Sequence, residues 1–161
     1  MSISFAGSEL INIAIGIERR GIAFYDIMAK SSENTATRDV FQYLANMERA
    51  HIQIFQSMLT EADKYQIPET YIREHDAYLQ ALVDSAVFTD DKLTSEMAIQ
   101  ADSDVKAMEL AIGAEKDSIL FYYGMRDVMP KLAHPTIDKI VVEEKSHLRQ
   151  LSELKKKLAD I

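Results

Sequence analysis

The sequence predicts an all-α protein, a four-helix bundle built from two antiparallel helix hairpins joined by a long crossover. Three observations predict it. Only five glycines and three prolines interrupt 161 residues, long segments carry apolar residues at alternating steps of three and four, and the second half of the chain weakly repeats the first. No strand-like alternation is present.

The first helix is expected over about residues 8–30, with Ser8 as N-cap and Ile11, Ala14, Ile15, Ile22 and Tyr25 on one stripe. Ser31 to Thr35 forms a short polar turn. The second helix, about 36–64, places Phe41, Leu44, Glu48, His51, Phe55 and Met58 on the stripe that faces other helices. The pattern then weakens. Between about 65 and 103, Pro68, the Asp90-Asp91 pair and one modest apolar stretch, Tyr78 to Phe88, predict a crossover containing one short helix. The third helix is expected from Ser103 or Asp104 to about 129, where Pro130 and Pro135 bracket the next turn. The fourth, about 135–159, carries Ile137, Ile140, Glu144, His147, Leu151, Leu154 and Leu158. Residues 1–161 therefore read as one domain.

Composition narrows the chemistry. A net charge of -8 and a pI near 5.0 argue against a nucleic-acid surface, and the one basic run, Lys155 to Lys157, fits the solvated end of the last helix. The absence of cysteine excludes disulfides, thiolate metal sites and cysteine nucleophiles within this sequence. Any metal must bind oxygen and nitrogen. No basic-then-apolar leader and no membrane-length apolar run occurs, so a cytoplasmic location without membrane contact is expected.

The repeat locates the candidate site. Ile17 to Tyr25, IERRGIAFY, aligns with Ala114 to Tyr122, AEKDSILFY, pairing Glu18 with Glu115. Glu48 to His51, ERAH, aligns with Glu144 to His147, EKSH. Residues equidistant from a hairpin turn lie at one height along a bundle. Glu18 and Glu48 are equidistant from Glu33, and the midpoint of Glu115 and Glu144 falls beside Pro130, so each pair sits roughly 22 Å from its turn at about 1.5 Å per residue. A crossover of this length can return the chain to the opposite end of the bundle, which brings both pairs to one level.

Glu-x-x-His puts a carboxylate and an imidazole on one helix face about a turn apart, so the carboxylate can bridge two ions while the imidazole ends one. A single such motif is a weak signal, because an apolar-face histidine is more often a hydrogen-bonded core residue; the repetition at matched spacing changes that weighting. Glu18, Glu48, His51, Glu115, Glu144 and His147 are accordingly the expected metal ligands. Four carboxylates nearly balance two divalent ions, and hard oxygens with one nitrogen per ion suit iron or manganese, with zinc an acceptable substitute.

Other residues carry weaker signals. Tyr25 and Tyr122 lie two turns beyond Glu18 and Glu115 on the same face, fit either to hydrogen-bond ligands or to pack in the core. His75, His134 and Glu143 are expected at the surface, and Met47, Met58, Met108 and Met125 as core filler.

These residues resemble the rubrerythrin branch of the ferritin-like superfamily, in which each half supplies a helix glutamate and a Glu-x-x-His. The resemblance covers all four long helices. It implies the same six ligands, with Glu48 and Glu144 as bridges, two iron ions, and a di-iron oxidoreductase that reduces hydrogen peroxide or dioxygen. The sequence departs from the family twice. It has no cysteine-rich rubredoxin segment, so electrons are expected from an external donor such as a rubredoxin-like protein. It also carries Ser118 where rubrerythrins commonly hold an additional glutamate, which bears on redox-linked ligand exchange and on peroxide reduction. Iron binding or storage without turnover, and a partner-binding bundle, are the competing readings. A homodimer is the expected assembly.

Overall fold

The computed structural model describes residues 4–68 and 74–160. Four long helices dominate it: α1 (Gly7–Ser31), α2 (Thr35–Thr60), α5 (Asp104–Val128) and α6 (His134–Ala159). Two shorter helices, α3 (Glu74–Asp84) and α4 (Asp91–Gln100), lie in the crossover. Residues 69–73 of that predicted crossover fall outside the described residues.

Local chemistry sets most helix ends. The Asn34 side chain accepts from the Thr37 N–H at 3.1 Å and opens α2, and Ser103 does the same for the Lys106 N–H at 3.1 Å in α5. The start of α1 differs from the expectation at Ser8: the helix begins at Gly7, and the Glu9 carboxylate reaches back to the Ala6 N–H at 3.3 Å. Gly7 is required there, since a Cβ would stand 2.0 Å from the Tyr65 carbonyl oxygen. The α-helical part of α2 also stops before 64, giving way to a 3-10 turn over Ala62–Tyr65.

The crossover corrects the prediction of one short helix. The second one, α4, exists because Asp90 caps it, accepting from the Leu93 N–H at 2.8 Å, and because Thr94 and Ala98 bury against the bundle. Its weak amphipathicity hid it. α3 packs on α5 and α4 on α1, so each covers one hairpin. The crossover also runs the length of the bundle: the Phe5 N–H donates to Asp76 near the start of α3 at 3.0 Å, while the Asn34 N–H in the first turn donates to Asp104 at the start of α5 at 3.3 Å. α5 therefore starts beside the turn joining α1 and α2, and the two hairpins are related by an approximate twofold.

The apolar core is divided. One cluster, including Leu10, Ile11, Phe55, Met58, Met125, Ile137 and Ile140, fills one end, and another, including Phe24, Phe41, Leu44, Met108, Ala111 and Leu151, fills the other. Every long helix passes from one cluster to the other through its expected site residues. Replacing Leu44, which is fully buried, with alanine should cost about 2–5 kcal/mol. Denaturant unfolding of metal-loaded protein checks this, with the site's metal content expected to stay unchanged because Leu44 is not a ligand.

Candidate metal centre

The polar layer between the two apolar clusters contains the six expected residues. Glu18, Glu48, His51, Glu115, Glu144 and His147 are each at most 3% exposed. They fall into two overlapping sets, Glu18, Glu48, His51 and Glu144, and Glu48, Glu115, Glu144 and His147, in each of which one ligand atom per residue lies within 4.8 Å of the others. Glu48 and Glu144 belong to both.

The histidines give the layer its polarity. His51 turns Nδ1 inward, 2.9 Å from Glu144 Oε1, 3.2 Å from Glu48 Oε2 and 3.6 Å from Glu18 Oε1. His147 turns Nδ1 inward too, 3.2 Å from Glu144 Oε2, 3.4 Å from Glu48 Oε1 and 3.8 Å from Glu115 Oε1. Thus Glu48 and Glu144 each present one oxygen to each imidazole. That is the arrangement a bridging carboxylate needs.

The tyrosines cross between hairpins. Tyr25 Oη donates to Glu115 Oε1 at 2.5 Å, and Tyr122 Oη donates to Glu18 Oε1. Each hydroxyl therefore holds the glutamate of the other half, and does so through the same Oε1 that faces the inward histidine nitrogen. Both phenols are raised well above their usual pKa, first by burial and then by the surrounding carboxylates, Glu115 foremost for Tyr25 and Glu18 for Tyr122, so they remain donors.

Electrostatics show what the layer lacks without cations. Burial, followed by the charge of Glu144, drives Glu48 and Glu115 well above the ordinary carboxylate range. Burial and the charge of Glu18 likewise raise Glu144. Burial would raise Glu18 as well, but hydrogen bonds from Glu48, His51 and Tyr122 outweigh it and lower that group. Burial alone would depress the imidazoles, yet hydrogen bonds to carboxylates, led by Glu144 for His51 and Glu48 for His147, raise both. The layer thus favours taking up positive charge. Glu115 Oε2 has no hydrogen-bond partner among the described residues, and the donor set of oxygens with one nitrogen per position fits two hard divalent ions.

Four residues sit where the sequence did not place them. Glu143, expected at the surface, is partly buried with Oε2 2.7 Å from His51 Nε2, because its position one step before Glu144 aims it along the rim of the layer toward α2. His134 is half-buried, its Nε2 3.1 Å from the Met129 carbonyl oxygen. His75 is half-buried as well. Met58, Met108 and Met125 are core residues, while Met47 is only partly buried. A cavity of about 40 Å³ adjoins the layer, bordered by Glu18, Arg20, Tyr25, Glu48, Glu115 and Ser118. Sequence pattern could not reveal it.

The model of the family described as Rubrerythrin matches residues 9–155. A solved structure from Thermotoga maritima, described as a ferritin-like diiron-carboxylate protein, is 31% identical to this chain, with the match covering 94% of this chain and 95% of the other at a TM-score of 0.69. No curated protein matches.

The titration pattern has a signed consequence for stability. Glu48, Glu115, Glu144, His51 and His147 all bind protons more tightly folded than unfolded. The contribution of the three glutamates to the metal-free fold is present below their usual value of 4.5 and lost as pH rises above it, and that of the two histidines is present below 6.5 and lost above it. Glu18 acts oppositely, losing its contribution only as the pH falls below 4.5. Metal binding releases those protons and strengthens with pH. The melting temperature of metal-free protein should therefore fall between about pH 5 and pH 8, and its gap below metal-loaded protein should widen. Calorimetric scans across that range check this; a gap independent of pH would contradict it.

Proposed function

The chain belongs to the rubrerythrin family, and from that premise we propose that it is a di-iron carboxylate oxidoreductase reducing hydrogen peroxide or dioxygen with electrons from an external donor. The observation that carries this reading is the sharing of Glu48 and Glu144 between two inward-facing histidines, which makes two adjacent metal positions of the four carboxylates. Two ferrous ions held there would supply one electron each, the two that peroxide needs, with two protons, to become two waters.

The protein's own part is positioning and exclusion. Glu18 and Glu115 each serve one position, and the crossed tyrosines keep them from rotating away. Apolar clusters above and below keep bulk water out. Ser118, where related proteins commonly hold a glutamate, turns its hydroxyl to the Ala114 carbonyl oxygen at 3.1 Å and leaves the adjoining cavity open. About 40 Å³ accommodates a molecule of peroxide or dioxygen size. With no cysteine in the sequence to relay electrons, the donor in this reading is a separate redox protein, such as a rubredoxin-like one.

Protein reconstituted anaerobically should bind two irons per chain, and its ferrous form should be oxidised by peroxide at least about tenfold faster than ferrous iron in buffer. Glu48→Ala, which removes a bridge from both positions, should abolish two-iron binding and the acceleration together. Elemental analysis and stopped-flow absorbance measure these. A two-iron wild type with no acceleration by either oxidant removes the oxidoreductase reading.

A further inference from the structure

The two halves of the layer match at their inner edges and differ at their outer ones. Behind His51, Nε2 meets the Glu143 carboxylate at 2.7 Å. Behind His147, Nε2 is buried and has no hydrogen-bond partner among the described residues. Sequence explains the difference. The register that lays Glu48 on Glu144 lays Met47 on Glu143, and a thioether is at best a weak acceptor. The His147 ring instead meets the Tyr43 ring edge-on, with centroids 6.2 Å apart.

We propose that Glu143 is a positioning residue for His51, and that the position formed by Glu18, Glu48, His51 and Glu144 therefore binds its ion more tightly, and fills earlier, than the position formed by Glu48, Glu115, Glu144 and His147. The inference rests on the two-metal reading of the layer. An imidazole that offers Nδ1 to a metal must keep its proton on Nε2, and an acceptor behind Nε2 selects that tautomer, fixes the ring plane and raises the basicity of the ligating nitrogen. Removing such an acceptor typically weakens metal affinity by about 10–100-fold. His51 has this support and His147 does not. The two ions would accordingly be inequivalent although the ligand types of the two positions are the same.

Anaerobic calorimetric titration of metal-free protein with ferrous iron alone tests this. Wild type should take up two ions in two resolved steps, and His147→Ala should remove the weaker one. Glu143→Ala should weaken the tighter step by about 10–100-fold and leave the other within about threefold, while Glu143→Gln, which retains an acceptor oxygen, should recover part of the loss. The melting temperature of the metal-free variants should stay near that of wild type, separating positioning from a general structural role. Equal steps in wild type, or a Glu143→Ala effect that is absent or spread evenly over both steps, overturns the inference. Uptake of fewer than two ions at saturation overturns the two-metal reading itself, a distinguishable failure.

Discussion

Four carboxylates buried at one level of a helical bundle are the constraint on which the rest of this structure depends. Like charges about 4 Å apart repel by about 4 kcal/mol even at an effective dielectric of 20, and several carboxylate pairs here lie within 4.8 Å. The sum exceeds the roughly 5–15 kcal/mol that keeps a domain folded. Positive charge must therefore enter the layer. Without metal, burial and mutual repulsion favour proton uptake by the layer; bound cations would supply the same charge. Protons and metal compete for one set of oxygens, so folding, acidity and metal binding are linked.

Such a layer is costly enough that everything around it must hold it still. The apolar clusters at either end, built from Leu10, Phe55 and Ile137 on one side and Phe24, Phe41 and Leu151 on the other, supply the burial that the polar level cannot. Crossed tyrosine bonds tie the hairpins at that level, so neither half of the site is complete on its own. The crossover contributes by starting α5 beside the first turn. A shorter connection would have run the third helix from the other end and broken the twofold relation between the hairpins.

Most of this was legible because the ligands lie on helices, where spacing along the chain becomes position in space. Glu48, His51, Glu144 and His147 occupy stripe positions that otherwise hold only apolar residues, so their burial followed from periodicity, and the repeat fixed their common level. What stayed hidden depends on contacts between elements with no periodic signal. α4 owes its helix to the Asp90 cap and to two small buried residues, Thr94 and Ala98, not to a strong apolar face. Glu143 looked exposed because a helical wheel assigns direction from its own axis, whereas its carboxylate reaches an imidazole on α2. His134 was misplaced for a similar reason, since its partner is a backbone carbonyl in the preceding turn.

The duplication also shows where the two halves have been free to diverge. The six residues that converge in the layer are the same in each half, glutamate for glutamate and histidine for histidine, as a shared charge balance requires. Residues one layer out are not: Met47 stands opposite Glu143, and Tyr43 covers His147 where no aromatic contact to His51 from the matching position, Lys139, is available. A change in that outer layer leaves the number of ligands and their total charge alone, but it alters how firmly one imidazole is held. Inequality between the two positions is therefore the direction in which this symmetric framework can vary without losing the charge balance that its fold requires.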